Sequence, residues 1–203
     1  MFVESMTFEE IRRQVDADML RIARKATYQM GAILKVMRQT NISRFKKYYD
    51  YVTPVAKNRW IYGLNAPDSK SKHASMLFLT QFITERGYAA LTTNIENKCI
   101  FYYTSHFFTR YNQRTQSGLI MNRDIMITFL ENNNNMAWQP LGTDKDGKQS
   151  VFVQFKHGVG LGSLHASLNL IEFRTFITND MLRGNQIEIS KQLEERFELE
   201  VAR

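Results

Sequence analysis

The sequence predicts an α+β fold: a long N-terminal helix, a mixed helix and strand middle, an antiparallel sheet and a C-terminal helix. Three observations predict it. One apolar stripe with helical spacing fills the first quarter of the chain. From Arg59 onward, short runs rich in β-branched and aromatic residues alternate with turn signals. The order is helices, then mixed elements, then consecutive strands, without the strand–helix alternation of a parallel α/β sheet. The expected organisation is a helical N-terminal region, residues 1–55, followed by an α+β domain, residues 56–203.

The first helix opens on a capping box. Thr7 followed by Glu10 lets a hydroxyl and a carboxylate each satisfy a free amide at a helix start. Phe8, Ile11, Val15, Met19, Ile22, Ala26, Met30, Ile33 and Met37 then recur three or four residues apart, close to one helical turn. Arg12, Arg13, Arg21, Arg24, Lys25, Lys35 and Arg38 lie off that stripe. A second short helix is expected from Ser43 to Val52, stopped by Pro54.

The middle begins with a strand at Arg59–Leu64, ended by Asn65-Ala66-Pro67-Asp68. Lys70, Lys72 and His73 fall in a basic loop, and residues 74–86 read as a helix ended by Gly87. Tyr88–Thr93 and Lys98–Tyr103 read as paired strands around a turn at Asn94–Asn97. Helices follow at Ser105–Thr115 and Asn122–Glu131, then a loop at Asn132–Asn135. In the last third Asp146-Gly147 signals a hairpin turn. Val151–Lys156 and Leu168–Ile177 read as strands, separated by a turn rich in glycine (Gly158, Gly160, Gly162), and a closing helix starts near Asn179.

Composition bounds the function. The chain has 203 residues, 43% hydrophobic, enough for a substantial core. Its formal charge is +7 and its pI about 9.5, which favours an anionic partner: RNA, another nucleic acid or a phosphate-rich surface. A lone cysteine, Cys99, excludes a disulfide framework and a cysteine-based zinc finger. Its neighbours Ile100-Phe101-Tyr102-Tyr103 suggest a buried thiol on a strand. Glu4, Glu9 and Glu10 interrupt any apolar leader, and no window approaches the ~18 apolar residues of a spanning helix. The expected location is therefore cytoplasmic, with no membrane partner. The N-terminal helix either packs on its own domain or offers a surface to a partner protein or a second copy.

The most informative stretch is Thr104-Ser105-His106-Phe107-Phe108-Thr109-Arg110-Tyr111-Asn112-Gln113-Arg114. On a helix, His106, Arg110 and Arg114 lie within an arc of about 80°, beside Phe107, Phe108 and Tyr111. An imidazole and two guanidiniums suit RNA cleavage without metal or cofactor. The histidine exchanges a proton with the 2′-hydroxyl or the leaving oxygen, and the arginines hold the phosphate. The plainer alternative is a solvated basic face.

This stretch, the helix after it and the late run Ile171-Glu172-Phe173-Arg174-Thr175-Phe176-Ile177 resemble the small bacterial RNase toxins of barnase-like and RelE-like fold. The resemblance spans residues 100–180 and leaves out the helical first quarter. It implies His106 as acid/base, Arg110 and Arg174 as phosphate ligands and Thr175 as a polar helper. Arg114, Lys156 and His157 would be substrate-binding residues. Strand alternation puts Arg174 and Thr175 on opposite faces unless a bulge intervenes.

Weaker patterns remain. His157-Gly158-Val159-Gly160-Leu161-Gly162-Ser163 exposes backbone amides but lacks the lysine of a phosphate-binding P-loop. His157 and His165 bracket it as possible partners of His106. Pro67-Asp68 with Glu96-Asn97-Lys98 matches a magnesium-nuclease pattern in turns, where that chemistry needs a strand. Tyr48, Tyr49, Tyr51, Trp60, Tyr62, Tyr102 and Tyr103 lie near basic residues and suit either stacking on single-stranded bases or the core. Two functions follow. One is a metal-independent endoribonuclease of toxin or mobile-element type. The other is a non-catalytic phage or mobile-element protein that binds nucleic acid or partner subunits through its basic helical region.

Overall fold

The computed structural model describes residues 1–203 except 69–73, 94, 96, 97, 117, 134, 135, 144–147, 202 and 203, and no side chain from 197 to 201. The basic loop of Lys70, Lys72 and His73, the Asp146-Gly147 turn and the Glu96-Asn97 part of the nuclease pattern lie outside the described residues. The fold is α+β. Two compact units divide it: Met1–Ile83 with Leu91–Ile100, and Thr84–Ala90 with Phe101–Arg203.

The first unit is built on α1, Phe8–Thr40. The capping box forms: Glu10 N–H donates to Thr7 Oγ1 at 3.2 Å, and Thr7 N–H to the Glu10 carboxylate at 2.8 Å. Asn41 ends the helix in the left-handed conformation that asparagine tolerates. Ile11, Val15, Ile22, Ala26, Met30 and Met37 are buried, as the stripe predicts, and Asp18 is buried among them.

Next come β1 (Phe45–Val52), β2 (Arg59–Ala66), β3 (Ser75–Thr84) and β4 (Gly87–Thr93), in that spatial order. Residues 43–52 were expected as a helix, and 45–52 are a strand. Antiparallel pairing to β2 decides this, with Tyr49 opposite Tyr62 and their rings stacked at 5.3 Å. Residues 74–86 were also expected as a helix, and 75–84 are a strand. Ser75-Met76-Leu77-Phe78-Leu79-Thr80 pairs residue for residue with β2. A short, continuous apolar run suits a buried strand and a buried helix equally, so pairing settles it.

α1 packs on the face of β2 that carries Trp60 and Tyr62. Its Asp18 Oδ2 accepts from Trp60 Nε1 at 2.8 Å and from Asn58 Nδ2 at 2.7 Å. Tyr62 donates its hydroxyl proton to Gln29.

In the second unit β5 (Ile100–Tyr103), β9 (Leu170–Thr178), β8 (Gly158–His165), β7 (Gln149–Phe155) and β6 (Ala137–Thr143) lie in that order. The glycine-rich run is thus β8, a strand and not a turn. Its glycines admit close approach. A Cβ on Gly160 would meet the Phe155 and Phe173 rings at 2.8–2.9 Å, and one on Gly162 would lie 1.9 Å from the Glu172 carbonyl. β6 was not expected as a strand; it is an edge strand, where Pro140 is tolerated.

Helices α2 (Ser105–Thr115) and α3 (Asn122–Asn132) cover one face. Tyr103, Phe107, Phe129, Phe155, Phe173 and Phe176 meet there with ring centroids about 5–6 Å apart, mostly edge-to-face. Alternation turns Phe152 and Gln154 to the other face, toward α4, Asn185–Val201. Phe152, Val159, Leu182 and Leu193 form a small core there, and Ser190 donates to Gln154 at 2.7 Å. The closing helix, expected from Asn179, follows a single 3-10 turn at Asn179–Met181.

Candidate functional site

α2 begins where Thr104 grips β9. Its N–H donates to the Phe173 carbonyl at 3.1 Å and its hydroxyl to the Arg174 carbonyl at 3.3 Å. Phe107, Phe108 and Tyr111 are buried, and this fixes which way the other side of the helix faces. His106 stands exposed on it. Arg110 Nε–H donates to His106 Nε2 at 3.1 Å. The expected pairing of imidazole and guanidinium is therefore present.

Arg114, one turn on, is spent differently. Its guanidinium donates to the Phe176 carbonyl on β9. Burial first, and the Arg110 charge second, lower its pKa from the usual arginine value. It ties α2 to the sheet.

Arg174 and Thr175 fall elsewhere. Leu161 pairs with Thr175 but its neighbour Gly162 pairs with Phe173, so Arg174 is the extra residue of a β-bulge. The bulge turns Phe173 and Phe176, three residues apart, into the same aromatic cluster beneath α2. Arg174 and Thr175 lie between them and face the side away from α2. Arg174 donates there to Glu172 at 3.3 Å, and His165 Nε2 lies 3.6 Å from the same carboxylate. The bulge unites Arg174 with Thr175 but sets both on the opposite face of the sheet from His106.

Lys156 is exposed at the β7–β8 turn. His157 beside it donates its backbone N–H to Asn133 Oδ1 at the end of α3, at 3.1 Å. Burial, then the neighbouring Lys156 charge, push its imidazole pKa down. Cys99 is buried just before β5, and burial, only partly countered by Arg12, pushes its thiol up to about 11. Among the described residues, no cluster of three or more His, Cys, Asp or Glu is positioned to hold a metal, and no helix is long and apolar enough to cross a membrane.

A second surface had its signal in the sequence, and only the structure gives it a shape. Residues 19–49 hold eight of the 27 Lys and Arg and none of the 20 Asp and Glu. The remaining chain carries 19 cations against 20 carboxylates, so the whole net charge resides in this segment. All eight, Arg21, Arg24, Lys25, Lys35, Arg38, Arg44, Lys46 and Lys47, are exposed. They occupy the outer side of α1, the turn after it and β1, an edge strand. Aromatic rings are interleaved: Lys25 sits over Tyr51 at 4.8 Å and Lys47 over Tyr49 at 5.4 Å. Comparisons with protein-family models, with curated proteins and with solved structures find no match for this chain.

Proposed function

We propose that the protein binds nucleic acid, without cutting it, through the basic outer face of α1 and β1. One observation carries the reading: eight exposed cations and no carboxylate between residues 19 and 49. A run of this kind attracts a polyanion, and each phosphate it neutralises releases condensed counterions. The test is fluorescence anisotropy with labelled RNA and DNA 20-mers between 50 and 200 mM salt. The logarithm of affinity should fall linearly with that of salt. The fourfold variant Arg21→Gln, Arg24→Gln, Lys35→Gln, Arg38→Gln should flatten the slope by about 3, since each phosphate contact contributes roughly 0.7–0.9. Absent or salt-independent binding by the wild type would refute the reading.

A second reading, the metal-independent endoribonuclease, has one observation in its favour: the exposed His106 hydrogen-bonded by Arg110. Its difficulty is that Arg174 and Thr175 open on the other face. Mixed RNA incubated in EDTA with wild type and His106→Ala separates the two readings. Cleavage that disappears in the variant means the enzyme; intact RNA with both means binding alone.

A further inference from the structure

The basic face of α1 is not evenly charged. Arg21, Arg24 and Lys25 form one group and Lys35 and Arg38 another. About 16 Å of helix separates Arg24 from Lys35, at 1.5 Å per residue. The exposed residues in that interval are Thr27, Tyr28, Gly31 and Ala32. Tyr28 is 80% exposed, a large share for an aromatic ring. Helical side chains lean toward the N-terminus, onto the residues three and four positions before them. The two that would lean on Tyr28 are Gly31 and Ala32, among the smallest available, and nothing lies within 4 Å of where a Gly31 Cβ would be. One face of the phenol ring is therefore left open between two groups of phosphate-seeking cations, three residues after Lys25 and seven before Lys35.

Accepting that this face binds nucleic acid, we infer that its ligand is single-stranded, with a base stacked on Tyr28 and the flanking phosphates held by Arg21, Arg24 and Lys25 on one side and Lys35 and Arg38 on the other. Stacking on an aromatic side chain requires a free base face, which a duplex does not present. A duplex could meet the same cations through its phosphates alone, without the added stacking on Tyr28.

The experiment compares a labelled single-stranded 20-mer, as RNA and as DNA, with the corresponding duplex. The proteins are wild type, Tyr28→Ala, Tyr28→Phe and Gly31→Leu. Wild type should prefer the single strand, in either sugar chemistry. Tyr28→Ala should lower single-strand affinity about tenfold or more while leaving duplex affinity and the salt slope unchanged. Tyr28→Phe should keep the affinity. Gly31→Leu, which lays a side chain on the ring, should lower it again; this site is open, so the fold is not at stake. Equal single-strand affinity of wild type and Tyr28→Ala, or a preference for duplex, overturns the inference and leaves the nucleic-acid reading standing, because the salt-dependent binding persists. Absence of salt-dependent binding by the wild type overturns both.

Discussion

Asp18 occupies a place on α1 where an apolar residue would be expected, and its removal should be costly. It is 4% exposed. One carboxylate oxygen accepts from Trp60 Nε1 and Asn58 Nδ2, and the other accepts from Gln14 Nε2 at 3.1 Å. Asn58 in turn accepts from the Phe2 N–H at 2.7 Å and is bonded through its own backbone to Thr53. Asp18→Ala strands two buried donors, each costing about 1–3 kcal/mol. The better helix propensity of alanine returns about 0.5 kcal/mol. The net loss should be about 3 kcal/mol, a large part of the 5–15 kcal/mol typical of a whole domain. Asp18→Asn keeps one acceptor oxygen and should lose roughly half as much. Urea unfolding followed by tryptophan fluorescence measures both, with Trp60 reporting directly on the lost bond. An alanine variant within 1 kcal/mol of wild type, at unchanged m, would show that the network does not hold α1 to the sheet.

Three further outcomes test the packing. Gly162→Ala drives a methyl against the Glu172 carbonyl at the β8–β9 bulge and should cost about 1–3 kcal/mol in the same assay, whereas Gly31→Ala, with open space around it, should be neutral or stabilising by up to about 1 kcal/mol. Cys99, buried and with its thiol pushed up to about 11, should resist aromatic disulfide reagents at pH 8 until urea is added; rapid labelling of the native protein would contradict its burial.

Much of the helical part was legible in the sequence. The Thr7–Glu10 box, the apolar stripe and the bounds of α2 follow from local rules, and the structure keeps them. Strands were harder wherever a partner decided the outcome. Phe45–Val52 carries tyrosines and a valine that fit a strand, yet only the ladder with β2 distinguishes it from a short helix before Pro54. Ser75–Thr84 opens on the apolar run Met76–Leu79 and has no clear period to read. The glycines of β8 look like a loop until the Phe155 and Phe173 rings that need their space are brought alongside.

The sites divide in the same way. His106 and Arg110 are four residues apart on one helix, so their contact is visible in the chain. The faces of Arg174 and Thr175 depend on a one-residue bulge, a property of two strands in register that neither strand encodes alone. The basic face was present as an interval without acids. Reading Ser43–Val52 as a helix hid that α1 and an edge strand expose it together.

That face also bears on how copies of the protein meet. Two molecules apposed through the α1–β1 face would bring eight cations on each side together, and like charges set opposite one another cost several kcal/mol. The repulsion reaches about 30 Å at 0.01 M salt and about 10 Å at 0.1 M. A polyanion lying between two such faces would neutralise both, so crowding of copies along α1 becomes favourable only in its presence.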